Sequence, residues 1–288
     1  NYYYPTNDLV TGPDILFFWI ARMIMSGYYL KNQKPFKNVY FTGLVRDEKG
    51  RKMSKQLGNS PDPIELIESY GADGVRIGLL FSAPAGNDLL FDKKLCIQGK
   101  NFSNKIWNAY RLIDGFEVSS KKEQEIFEIS AIKWFKEEFN SKVIDIDNAF
   151  DNFKISEALM ITYKLVWDDF CSTFLEIVKP KYGDKISPKT ELEINNLFIK
   201  ILSILQPFMP FISSEIFDKI SISDYNLEWP KTHNINSKII RNFEHTNELV
   251  SKIRNFKKST NMGFKDSIKL YYDNEILDYE LKTVLQKL

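Results

Sequence analysis

The sequence predicts a mainly α fold with a small α/β part, in which a partial parallel sheet is followed by a helical bundle. Three observations predict it. Two short β-type runs, Leu9-Val10-Thr11 and Val39-Tyr40-Phe41-Thr42, flank an apolar helix candidate from Asp14 to about Leu30; strand, helix, strand at this spacing is a βαβ unit with parallel pairing. From Asp92 onward, apolar residues recur at intervals of three and four, the period of helices that bury one face. The 288 residues are 43% hydrophobic and 27% charged, with 22 Phe, a composition that builds large cores and, at this length, about two domains.

Each element has its own signal. Gly12-Pro13 closes the first run and Gly43 the second. Gly27 and Pro35 bring the first helix to its end. A Gly- and Lys-rich loop spans Arg46 to Asn59. The next helix starts at Asp62 as N-cap with Pro63 in its first turn and Glu65 at capping-box spacing, and Gly71 stops it. A further helix covers about Ala72 to Phe81, before Pro84. Ile155, Leu159, Tyr163, Val166, Phe170 and Phe174 stripe one long helix that Pro180 ends. Ser187-Pro188 opens another, striped by Ile194, Leu197, Ile201 and Ile204 and ended by Pro207. Pro207 and Pro210 bracket a sharp corner at Phe208-Met209. Ile239, Phe243, Val250 and Ile253 mark one more helix. Asp266 to Asp273 reads as one strand, and the tail from Glu275 as a short helix.

Several function classes drop out. Cys96 and Cys171 stand far apart without a CxxC spacing, so buried reduced thiols are expected rather than a zinc site or a disulfide scaffold. His233 and His245, the only histidines, have no metal or nucleophile–base context, and no protein-bound metal is expected. The longest apolar runs, such as Ile15 to Ile20, are too short to span a bilayer, and Asn1 to Thr6 carries no signal-peptide pattern; a cytoplasmic chain without membrane contact is expected. With a net charge of +1, any nucleic-acid contact rests on local basic patches.

The most informative segment is Gly50-Arg51-Lys52-Met53-Ser54-Lys55-Gln56-Leu57-Gly58-Asn59. Two lysines three apart are common on any solvated surface. Here they follow a parallel strand, where α/β sheets bind ligands. Lys is a mobile point charge suited to a polyphosphate, and Ser54 has a hydroxyl to donate to a phosphate oxygen. The run resembles the KMSKS signature of class I aminoacyl-tRNA synthetases, and its extension through Leu57-Gly58-Asn59 and Asp62-Pro63 resembles the valine, isoleucine and leucine group. Gln56 stands where the family has its second Ser. The resemblance implies a Rossmann-like catalytic part and an anticodon-binding bundle. It also implies ATP with Mg2+ as substrate, an ATP site containing Asp14, Lys52, Met53, Ser54 and Lys55, and Lys52 and Lys55 as the catalytic cations that stabilise charge on departing pyrophosphate.

The stretch Gly12-Pro13-Asp14-Ile15-Leu16-Phe17-Phe18-Trp19 resembles the valyl members. In that family an Asp at the place of Asp14 holds the ATP ribose, and a Trp at the place of Trp19 walls the amino-acid pocket. From the residues alone, Asp14 is equally a helix cap and the apolar stretch behind it a buried core. One methylene is worth about 1–3 kcal/mol of discrimination, so such enzymes add an editing domain; no segment here corresponds to one. The resemblance runs from about Tyr4 to Leu270 and starts in mid-enzyme, with no HIGH signature. It implies the C-terminal part of a catalytic domain with stem-contact helices over residues 1–91, an anticodon-binding domain over 92–265 and the start of a C-terminal extension over 266–288. The implied partners are valine, ATP and tRNA(Val). The parent is expected to be monomeric, and this chain alone is expected to be inactive and prone to self-association through an open sheet edge.

Gly86 to Phe91, Asn101 to Arg111, Trp167 to Cys171 and Pro207 to Phe211 also resemble the valyl members. Most of their aromatics read as bundle core. Lys105, Arg111, Lys179 and Lys181 are candidate tRNA-phosphate contacts. So is Arg254, in a basic helix end with Lys257 and Lys258 that equally complements the helix dipole. An isoleucyl or leucyl enzyme, or a non-catalytic RNA-binding helical module, stays open as an alternative.

Overall fold

The computed structural model describes residues 2–54, 56–82, 87–220, 228–263, 266–269, 271 and 279–287. Two compact units divide the chain. The first takes residues 1–104, 146–161 and 207–212, and the second the remainder.

The first unit opens with strand β1 (Thr6–Thr11), which pairs in parallel with β2 (Phe36–Phe41) in the register Leu9 to Val39 and Val10 to Tyr40. Between them the chain makes a 3-10 turn (Pro13–Ile15), a π-helical turn (Leu16–Ile20) and helix α1 (Ala21–Lys31). The βαβ unit is as the sequence predicts, but its helix is not a buried core. Of the residues in the π turn and α1, Ile20 and Gly27 alone are buried, whereas Phe17, Phe18, Met25, Tyr29 and Leu30 are exposed. A helix apolar all round needs cover on more than one side, and two strands cover one.

A second parallel pair joins β3 (Val45–Arg46) to β4 (Leu89–Leu90). Between these strands lie α2 (Pro63–Tyr70) and α3 (Ala72–Ser82). Asp62 caps α2, its carboxylate accepting from the Ile64 N–H at 2.7 Å, and the helix stops at Gly71. Helix α4 (Lys93–Asp114) follows β4 and packs on α3 at backbone distance. A Cβ at Gly78 would lie 2.8 Å from the Cys96 nitrogen, and one at Gly99 would overlap the Gly74 carbonyl. Leu66, Phe91 and Cys96 form the core below, with Met53 packed against them.

The remaining named elements among the described residues are helical: α5 (Ile126–Asp151), α6 (Ile155–Lys164), a π-helical stretch (Leu165–Phe174), α7 (Leu175–Val178), α8 (Pro188–Leu205), α9 (Pro210–Lys219), α10 (Ser237–Ser259) and α11 (Tyr279–Lys287). The stripe read from Ile155 to Phe174 is a single helical run, with its second half wound as π. Ser187 caps α8, accepting from the Thr190 N–H at 3.1 Å. The second unit's core is aromatic: Phe135 meets Phe174 at 4.8 Å and Phe170 at 5.4 Å, and Trp134 stacks on Phe243 at 3.9 Å. Phe170 is buried, as the bundle-core reading expects, and so are the thiols of Cys96 and Cys171, both unpaired. Burial pushes the Cys171 thiol up to about 12, against a small opposing effect of Lys105. Residues 266–269 and 271 form no strand; the remainder of the expected strand and tail start, 270 and 272–278, lies outside the described residues. Among those residues no helix is long and apolar enough to cross a membrane.

In the first unit, α3 grips the Pro207–Pro210 corner. Arg76 donates to the carbonyls of Phe208 and Pro207 at 3.0 Å each, and buried Asp73 accepts from the N–H groups of Ile212 at 2.7 Å and Phe211 at 3.4 Å. Burial raises the Asp73 carboxyl, while those two N–H groups and Arg76 hold it down.

Candidate functional site

The loop after β3 begins as a tight turn. The Asp47 N–H reaches the Arg51 carbonyl at 2.9 Å, and the Gly50 N–H the Asp47 carbonyl at 2.8 Å. Gly50 has φ +75°, a conformation that a side chain disfavours. Arg46 then bridges to Lys52 in antiparallel fashion. This places Lys52 just beyond the carboxyl end of β3, where the peptide termini of a parallel sheet leave room for a ligand.

Two of the residues singled out from the sequence come together there. The Lys52 ammonium donates to the Asp14 carboxylate at 3.3 Å. Asp14 makes no cap for its own turn; it faces the loop from just past the end of β1. Both side chains are largely open to solvent, so their attraction is weak and a charged ligand can displace either partner. Met53 is half-buried, its side chain on the Leu66–Phe91–Cys96 core, and it anchors the loop's underside. The Ser54 hydroxyl accepts from the Leu57 N–H at 3.2 Å, which leaves its own proton for an incoming oxygen. Lys55 lies outside the described residues, as does Gly86. Trp19 is exposed, on the π turn that follows Asp14.

Two residues not singled out for the site hold it in shape. Asn59 accepts from the Ser54 N–H at 2.9 Å and donates to the Asp47 carboxylate at 2.9 Å and to the Lys52 carbonyl at 3.3 Å. Asp47 also accepts from the backbone of Lys49 at 3.0 Å and Arg51 at 2.8 Å and from the Arg51 guanidinium at 2.7 Å. The Asn59 amide and, after it, Arg51 hold the Asp47 carboxyl far below the usual range, against desolvation. Asp88 pairs with Arg46 and accepts from the Leu44 N–H at 3.1 Å. The signal for Asn59 was its place in the signature extension; nothing in composition or periodicity marks Asp47. A shallow cavity of about 330 Å³ opens behind the loop, between Asp47, Met53, Asn59 and Phe91.

The candidate RNA contacts are scattered over the second unit. Lys105 lies over the Trp167 ring, 5.2 Å from its centroid, and donates to the Ser172 hydroxyl at 3.4 Å. Arg111 is exposed in the last turn of α4. Lys179 pairs with Glu176 at 2.5 Å. Lys179 and Lys181 share the lining of a cavity of about 640 Å³ with Lys122 and Lys287. Arg254 is exposed on α10. Among the described residues no cluster of three or more His, Cys, Asp or Glu is placed to hold a metal.

Residues 1–92 match the family model described as tRNA synthetases class I (I, L, M and V), and residues 132–272 match that of the anticodon-binding domain of tRNA ligase. A relative named valine--tRNA ligase from Christiangramia forsetii is 52% identical over 93% of this chain. The chain belongs to the valyl-tRNA synthetase family. Its similarity to the Porphyromonas gingivalis valine--tRNA ligase is 48% over 96% of the chain, and to that of Fusobacterium nucleatum 41% over 88%. The chain spans about a third of the length of these relatives: 31% of the first, 32% of the second and 30% of the third. Two solved structures share the fold. The Agrobacterium radiobacter K84 agnB2 LeuRS, in a ternary complex with tRNA and LeuAMS, superposes with a TM-score of 0.57 at 17% identity. It matches 82% of this chain and 29% of its own. The Mycobacterium tuberculosis methionyl-tRNA synthetase, in complex with methionyl-adenylate, gives 0.53 at 20% identity, over 75% and 44%.

Proposed function

We propose that these residues supply the second half of the ATP site and the tRNA-docking bundle of a ligase that activates valine and transfers it to tRNA(Val). In the reaction, a valine carboxylate oxygen attacks the α-phosphorus of ATP. The bond to the bridging oxygen breaks, and pyrophosphate leaves as the valyl-adenylate forms. A terminal ribose hydroxyl of the tRNA then attacks the valyl carbonyl and AMP departs. The observation that carries the reading is the Lys52–Asp14 contact at 3.3 Å: a cation and a ribose-binding carboxylate converge past the ends of parallel strands. Lys52, with Lys55 three residues on, stabilises the charge that grows on pyrophosphate as the bond breaks, an electrostatic contribution that needs no covalent intermediate. Asp14 accepts from the ribose hydroxyls, and Ser54 donates to a phosphate oxygen. Mg2+ enters with the ATP as part of the substrate. Trp19, exposed on the π turn that follows Asp14, packs against the valine side chain. The cytoplasm, where translation consumes charged tRNA, is the place of action.

Valine-dependent exchange of pyrophosphate into ATP by the intact synthetase containing these residues is the test, with isoleucine and leucine as controls. Exchange driven by isoleucine or leucine in preference to valine sinks the assignment. The 288-residue chain by itself is expected to give none. For the bundle, filter binding of tRNA isoacceptors to this chain at low and high salt separates anticodon reading from charge alone: uniform, salt-sensitive binding reduces it to electrostatics. The free edge of β1 is the surface for self-association of the isolated chain, which sedimentation at rising concentration checks.

A further inference from the structure

Lys52 works only if the peptide that carries it stays in one register, and the loop has little apolar packing to hold it. Among its described residues Met53 packs against the core, while Lys52, Gln56, Leu57 and Gly58 are exposed. Its order rests on polar contacts, and these converge on one amide. Asn59 takes the Ser54 N–H on one side and reaches the Lys52 carbonyl on the other, so it clasps the backbone on both sides of Met53. Asp47 holds that amide by its second N–H, and is itself held by four donors from Lys49, Arg51 and Asn59.

We infer that Asn59 and Asp47 are positioning residues for adenylate formation: together they fix the backbone on either side of Met53, so that the Lys52 ammonium meets the departing pyrophosphate. Neither touches the reacting atoms. This rests on the ATP reading of the loop given above. Because a lysine displaced by an ångström loses alignment with the transition state more than with the ground state, the loss belongs to kcat.

The test is ATP–pyrophosphate exchange by the intact synthetase. Asn59→Ala is expected to lower kcat by roughly 10- to 100-fold with KM for ATP within about threefold. Asn59→Asp is expected to be worse, since it sets two carboxylates within hydrogen-bonding distance. Adding Asp47→Asn to it restores a donor facing an acceptor and is expected to recover about fivefold or more of the kcat lost in Asn59→Asp, a rescue that general loosening of the loop does not produce. A second readout uses the 288-residue chain: trypsin cleavage after Arg51 and Lys52 is expected to speed up roughly tenfold in Asn59→Ala without a shift in thermal midpoint. Unchanged kcat in Asn59→Ala, a loss confined to KM, or no rescue by the swap overturns the inference while leaving the ATP reading intact. Absence of valine-dependent exchange in the unsubstituted synthetase overturns the reading itself and this inference with it.

Discussion

Asp169 offers a quantitative test of what the Trp167–Cys171 run does. Its carboxyl sits in the second unit against Glu138, Lys142 and Asp168. Burial first, then the charge of Glu138, raises it to about 7, with Lys142 opposing and Asp168 adding a little. Lys142 itself pairs with Glu138 at 3.2 Å. The sign follows from proton binding. The folded state holds the Asp169 proton up to about pH 7, whereas the unfolded chain releases it near 3.8. Stability is therefore lost as pH rises between those values. The full displacement is worth about 4 kcal/mol above pH 7, and water reaching the cluster cuts this to about 2. Asp169→Asn removes the charge and keeps the shape. It is expected to stabilise the chain by about 2 kcal/mol at pH 8 and by about 1 or less at pH 5. Urea unfolding followed by tryptophan fluorescence reads the second unit, since Trp107, Trp134, Trp167 and Trp229 all lie in it. Equal or opposite effects at the two pH values would refute the buried-acid account. So would a variant that loses tRNA affinity without gaining stability, which would make the acid pair part of an RNA surface.

Three other outcomes are expected. Lys52→Ala should cut valine-dependent exchange by about 10²- to 10³-fold and leave the thermal midpoint unchanged, because the side chain is mostly in solvent; a loss below tenfold would remove it from the reaction. Asp73→Ala strips the N–H groups of Phe211 and Ile212 of their acceptor and should cost about 1–3 kcal/mol in denaturant unfolding; a neutral result would mean water replaces the carboxylate. Lys105→Ala and Arg111→Ala should each lower tRNA affinity for all isoacceptors alike and reduce the salt slope by about 1, as filter binding at several salt concentrations reads; an effect limited to valine isoacceptors would make the residue a reader of bases.

Much of this was legible in the residues because the signals were local. Asp62-Pro63 and Ser187-Pro188 announce helix starts by capping chemistry, and both caps form. The three-and-four spacing from Ile155 to Phe174 gives the helix, though not its π winding, which no residue spacing marks. The Lys52 loop was legible as a motif, but its strand context was not: the βαβ pattern ends at β2, and the two-residue strands β3 and β4 that flank the loop are too short to show a period. The Asp47–Asn59 clasp was not, since twelve residues separate its halves and no period links them. The exposure of Phe17 and Phe18 runs against the buried-core reading of that stretch: hydrophobicity along a sequence says what needs cover, not whether the chain itself provides it. The Asp73–Phe211 contact spans more than a hundred residues and has no sequence signal at all.

The glycine contacts between α3 and α4 set where the first unit can bend. At Gly78 and Gly99 an added Cβ would collide with the facing backbone, so the two helices interlock too closely to slide. Any movement of the lysine loop is then expected to fall between Asp47 and Asp62, upstream of that locked pair. The gearing is short: one turn and one clasp, with the α3–α4 pair of the first unit as their frame.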